Sequence, residues 1–134
     1  MVTAIIGKDH YRTELIASSK TVIADEPEDL GGTNQGPAPG EFLMISLASC
    51  TAITLRMYAD RKKWAVDKIR VEVSFVKAEF KTIFTCEVYL EGNLSAEERQ
   101  KLLEIAKKCP VHKTLSNPIE IETKLGENSI ESIV

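Results

Sequence analysis

Three thiols, Cys50, Cys86 and Cys109, are the side chains in this sequence best suited to do chemistry. Cysteine reacts or binds metal as its thiolate, so the surroundings of each sulfur decide its use. Cys109 stands in Lys107-Lys108-Cys109-Pro110-Val111-His112-Lys113. Pro110 suits the first turn of a short helix, which makes Cys109 its N-cap, where backbone amides point outward and favour an anion. With Lys107, Lys108, His112 and Lys113 close in sequence, the setting is one that lowers a thiol pKa. The plainer reading is that the two lysines cap the negative end of the preceding helix. Cys50 lies in Ala48-Ser49-Cys50-Thr51-Ala52, where a run rich in Leu, Ile and Met switches to small side chains. Such a position holds either a small core residue or a thiol with space beside it for a substrate or another chain. Cys86 shares an apolar face with Phe84, Val88 and Leu90 and reads as packing.

Other chemistries fit less well. Cys109 and His112 offer two metal ligands, but no second pair stands at zinc spacing and His10 is the only other histidine. No metal or cofactor is therefore expected. A Cys–His nucleophile lacks an obvious orienting partner. The glycine-rich stretch from Glu26 to Gly40 carries neither phosphate-binding pattern: no Gly-Lys is followed by Ser or Thr, and no G-x-G-x-x-G occurs. Asp25, Glu26, Glu28 and Asp29 lack calcium-loop spacing and read as a solvated loop.

The elements that must position these thiols follow from patterning. Strands are expected in Thr3 to Ile6, Tyr11 to Ala17 and Thr21 to Ala24, with turns at Gly7-Lys8-Asp9 and Ser18-Ser19-Lys20. Pro and Gly make Glu26 to Gly40 a loop. Pro39 opens a helix to about Lys63, and Glu41 favours the positive end of its dipole. The first two-thirds of that helix is apolar around the whole circumference, so it must be covered on nearly all sides. A small monomer arranges that with difficulty, and part of the cover is expected from a second chain. Asp67 to Val76 and Lys81 to Glu91 alternate as a strand pair. Ser95-Ala96-Glu97-Glu98 is a capping box for a helix ending near Lys108. A short helix follows Pro110, Ile119 to Leu125 alternates as a last strand, and the tail beyond Gly126 adds a frayed edge or stays unstructured. The order is β-β-β-α-β-β-α-α-β, an α+β fold with a largely antiparallel sheet, in a single domain of residues 1–134.

Composition bounds the class. The chain has 134 residues and 14.9 kDa, enough for one core. Seventeen basic against twenty acidic residues give a net charge of −3, which leaves no nucleic-acid footprint. Three cysteines are too few for a disulfide scaffold, and no signal-like segment opens the chain, so a reducing, cytoplasmic setting is expected. The charge-free apolar run Phe42 to Leu55 falls short of the roughly twenty residues that span a bilayer. It reads as a core helix, with no membrane partner.

Pro39 to Asp60, with Cys50 at its middle, resembles the long central helix of the OsmC/Ohr family. Lys108-Cys109-Pro110-Val111-His112-Lys113-Thr114-Leu115 resembles that family's second cysteine segment, and the likeness runs from about Asp9 to Thr123. The resemblance implies an intertwined homodimer with active sites at the subunit interface. It implies thiol-dependent reduction of small apolar hydroperoxides. Cys50 would be the peroxidatic thiolate and Cys109 the resolving thiol, recycled by an external dithiol reductant. The family's peroxidases also use an Arg that activates the thiolate and a Glu, directly after the helix-opening Pro, that holds it. Here the loop has no Arg and Arg12 is the only one before the helix; Gly40 follows Pro39, and Glu41 comes one residue later, a turn of about 100°. Arg12 and Glu41 are thus the candidates for those roles, with Glu41 also placed to cap. These departures resemble the less-characterised OsmC-like branch. The alternative is a non-catalytic dimer that holds a small hydrophobic ligand at its interface.

Overall fold

The computed structural model of the protein describes residues 1–127. Three short strands, β1 (Val2–Ile5), β2 (Thr13–Ala17) and β3 (Lys20–Ala24), form an antiparallel meander. The loop after it contains a single 3₁₀ turn, Glu28–Leu30. The central helix α1 (Pro39–Lys62) is followed by a long antiparallel hairpin, β4 (Val66–Lys77) and β5 (Thr82–Gly92), then by α2 (Ala96–Ala106) and α3 (Pro110–Ser116). This is the expected α+β order as far as α3, with the strands divided between two separate sheets.

Local chemistry sets most boundaries. Ser95 Oγ accepts from the Glu98 amide at 3.0 Å and Glu98 Oε1 accepts from the Ser95 amide at 2.9 Å, closing the capping box of α2. In the hairpin, Ile69 faces Leu90, Val71 faces Val88, Val73 faces Cys86 and Phe75 faces Phe84, so one apolar face runs its length. That face and α2 enclose α1. Leu47, Thr51, Leu55, Tyr58 and Ala59 form the buried stripe of α1, at spacings of four, four, three and one. Leu55, Tyr58 and Ala59 meet Val66, Leu102, Ile105 and Ala106 in the core, and Trp64 packs edge-on to Tyr58. Burying a side chain such as Leu55 or Leu102, neither exposed at all, is worth about 1.5–3 kcal/mol.

Among the described residues the other side of α1 has no cover. By length and composition α1 would pass as a membrane span, and only 28% of its apolar stretch is buried in the protomer. Its packing on β4, α2 and α3 makes it the core helix of the fold with one face left open.

Two expectations need correcting. Ile119 to Leu125 is not a strand: among the described residues none pairs with it to complete a ladder, and Ile119, Ile121 and Leu125 are exposed. The tail expected beyond Gly126 falls, from residue 128 onward, outside the described residues. Asp25 is also not part of a solvated acidic loop. It is buried, and its carboxylate accepts from the amides of Tyr11, Glu26, Thr33 and Gln35 and from the Thr33 hydroxyl at 2.6 Å. One side chain thereby folds the Glu26–Gly40 loop that leads into α1.

The Thr33 hydroxyl, with help from the three amides of Gln35, Tyr11 and Glu26, outweighs burial and holds the Asp25 carboxyl well below the usual carboxylate range. A depressed folded-state pKa contributes stability that is fully present above the unfolded value. That contribution is lost as pH falls through the folded value. Asp25→Asn is therefore expected to be less stable than wild type in urea at pH 7, with the gap narrowing below about pH 4. A gap that stays constant into acid would contradict this assignment.

Candidate functional site: three thiols around the central helix

Cys109 is completely buried and is the N-cap of α3, as its sequence context predicts. Its Sγ accepts from the His112 amide at 3.2 Å. On its other side the Thr51 hydroxyl lies 3.8 Å from the sulfur. The amide donates to the sulfur, and between Thr51 and Cys109 either the hydroxyl or the thiol can be the donor. Lys107, Lys108 and Lys113, by contrast, point their exposed side chains to solvent.

Thr51, and not its neighbour Cys50, is thus the residue of α1 that touches Cys109. Cys50 lies about 100° further round the helix. It is half-buried, and it falls on the stripe Leu43, Ser46, Cys50, Ile53 and Met57, whose spacing alternates three and four. Within the protomer this stripe faces outward: Ile53 is 55% and Met57 68% exposed. A groove of about 500 Å³ runs beside it, lined by Ala52, Ile53, Arg56, Met57 and Ile69. Cys50 is therefore a thiol on the edge of an open apolar face, one helical position from the contact that fixes Cys109.

Cys86, read from the sequence as packing, is half-buried on β5. It opens into a cavity of about 340 Å³ between β5, α1 and α3, whose walls include Leu47, Phe84, His112, Leu115 and Ser116. Burial pushes the Cys86 thiol above its ordinary pKa. The Thr51 hydroxyl works against that rise, and charge on Cys109 adds to it. All three cysteines are free.

The remaining candidates sit elsewhere. Glu41 Oε1 accepts from the Ala38 amide at 3.0 Å, so Glu41 caps α1. Arg12 pairs with Glu14 at 3.3 Å on the surface of the first sheet. Among the described residues no hydrogen bond or ion pair ties either to Cys50 or Cys109, and no cluster of His, Cys, Asp and Glu could hold a metal ion. Thr51 is the residue that sequence reasoning passed over. Its signal was its place four residues after Leu47 and four before Leu55, the spacing of a buried face.

The family model for OsmC-like proteins matches residues 32–124, well over half of the chain and all of this site. The chain belongs to the OsmC-like family. Among solved structures, it is similar to the OsmC-like protein of Mycoplasma pneumoniae, with a TM-score of 0.73 and 21% identity over 86% of this chain and 85% of that one. It is similar to the organic hydroperoxide resistance protein OhrB of Bacillus subtilis, at 0.61 and 24%, over 87% and 89% of the two chains. It is also similar to an organic hydroperoxide resistance protein, OsmC, of Legionella pneumophila, at 0.57 and 21%, over 87% and 88%. Comparison with curated proteins finds no match. At these identities the solved structures establish the OsmC-like fold, and the reaction must be read from the site.

Replacing Thr51 by Val removes the hydroxyl that restrains the Cys86 pKa, with little change in volume. Alkylation of Cys86 by iodoacetamide at pH 8, mapped by mass spectrometry, is expected to be slower in Thr51→Val than in wild type. An equal or faster rate would show that Thr51 does not act on Cys86.

Proposed function

We propose that this OsmC-like protein is a thiol-dependent reductase of small apolar hydroperoxides, working as a homodimer in a reducing, cytoplasmic compartment. The observation that carries this reading is the position of Cys50, on the open apolar stripe of α1 and adjacent in sequence to the Thr51–Cys109 contact. The apolar groove lined by Ala52, Ile53 and Met57 continues the stripe on which Cys50 lies, one turn further along the helix, and offers an apolar peroxide a surface outside the core.

The steps balance as follows. The Cys50 thiolate attacks the distal peroxide oxygen, the O–O bond breaks, and the alkoxide leaves and takes a proton to become the alcohol. Cys50 is now a sulfenic acid. The Cys109 thiol attacks it, water leaves, and a Cys50–Cys109 disulfide remains. An external dithiol reduces that disulfide by exchange. Within the described chain Arg12 pairs with Glu14 and Glu41 caps α1, and the steps above are written without them.

The homodimer supplies what a single chain lacks. The stripe from Leu43 to Met57 has the three-four spacing of a helix–helix seam, and an identical stripe on a second copy would cover it.

The apolar groove also suits the second reading, a dimer that holds a hydrophobic ligand without turning it over. Kinetics separate the two. Cys50→Ser is expected to abolish reduction of cumene hydroperoxide by the dithiothreitol-supplied protein, while Cys109→Ser accumulates the Cys50 sulfenic acid, trapped by dimedone. Turnover by Cys50→Ser at the wild-type rate would sink the peroxidase reading.

A further inference from the structure

The C-terminal ends of α1 and α2 meet at a cavity of about 300 Å³ that the thiol chemistry does not use. Met57, Tyr58 and Ile105 supply its apolar walls, Thr54 a hydroxyl, and Arg61 and Lys108 the charge. Small-ligand sites run from about 300 to 1,000 Å³ and combine apolar walls with a few polar groups, as this one does. Arg61 is steadied there by an aromatic ring that is itself buried in the core: its guanidinium lies over Tyr58, 5.3 Å from the centroid.

Five cations gather at these two helix ends: Arg61, Lys62 and Lys63 on α1, Lys107 and Lys108 after α2. Among the described residues none of the five is in an ion pair. The acids nearest in sequence, Asp60 and Glu104, are taken up by Arg56 at 3.2 Å and Lys101 at 3.8 Å. Capping the negative helix ends accounts for only part of this. Each end carries roughly half a negative charge, so two ends offset about one of the five cations. In a protein of net charge −3, the remainder is a local field of opposite sign beside a cavity.

We propose that this cavity binds a small organic anion headed by a phosphate monoester, its apolar body lying against Met57, Tyr58 and Ile105. The head follows from the donors. Arg61 offers a planar fork for two phosphate oxygens, Lys108 a point charge for a third, and Thr54 a hydroxyl. A carboxylate has one charge and two oxygens, which the fork alone uses. A phosphate monoester carries about −1.5 to −2 at pH 7 and has three free oxygens, so it answers both cations. No bond is made or broken, and the site does not rest on the peroxidase reading.

Isothermal titration calorimetry on the full-length protein tests this with phenyl phosphate, benzoate and inorganic phosphate as probes. Phenyl phosphate is expected to bind saturably and at least about tenfold tighter than either of the others, a difference of about 1.4 kcal/mol. Cys50→Ser is expected to bind it as wild type does. Arg61→Gln combined with Lys108→Gln changes two exposed side chains and should weaken binding at least about tenfold, with unfolding in urea as the check on folding. Lys77→Gln combined with Lys81→Gln at the tip of the hairpin removes the same charge and should leave affinity unchanged. Absence of saturable phenyl phosphate binding up to about 10 mM overturns the site. Equal affinity for inorganic phosphate or benzoate overturns it too, as does an equal loss in the two double variants.

Discussion

The central helix is apolar around nearly its whole circumference, and its own chain covers only one side. The rest of the structure depends on that imbalance. The hairpin β4–β5 and helix α2 exist, in physical terms, to bury the stripe that contains Leu55, Tyr58 and Ala59. The opposite stripe, with Ile53 and Met57 more than half exposed, is left over. Cys50, half-buried, lies on the edge of that open stripe. A thiol at such an edge can be approached from outside while its neighbour on the helix, Thr51, is locked in the interior against Cys109. The covering problem and the placing of the Cys50 sulfur are the same problem.

Most of the fold was legible because it is written in local chemistry. Pro39 and Pro110 start helices, Ser95 and Glu98 close a capping box, and the period-two pattern of β4 and β5 matches an observed register of facing apolar pairs. What could not be read is what depends on partners distant in sequence. Asp25 looks like one acid among four in a polar stretch. Its burial depends on Tyr11 and Thr33 arriving together with it, which no spacing rule announces. Ile119 to Leu125 carries a strand pattern, but a pattern without a neighbouring edge makes no ladder. The site divides in the same way. Cys109 as an N-cap was legible from Pro110, whereas the approach of Thr51 spans 58 residues, and the cavity that brings Cys86 of β5 together with His112 of α3 is set by tertiary packing.

The site also shows how an OsmC-like domain can differ from what family resemblance implies while keeping the fold. The acid expected to hold an activating guanidinium instead caps the helix, and the one Arg before α1 is paired on a separate sheet. The contacts that remain around sulfur are neutral: a backbone amide and a hydroxyl on Cys109, and a cavity wall around Cys86. Within the described chain, the surroundings of these thiols are set by hydrogen bonding and burial.

The most direct measurement is the thiol balance of a single turnover. Wild-type protein is mixed anaerobically with less than one equivalent of cumene hydroperoxide, and free thiols are counted in denaturant alongside the peroxide consumed. Two thiols lost for each hydroperoxide reduced is the predicted result, because one sulfur takes the oxygen and a second displaces it as water. Peroxide left unconsumed with all three thiols intact would contradict the account.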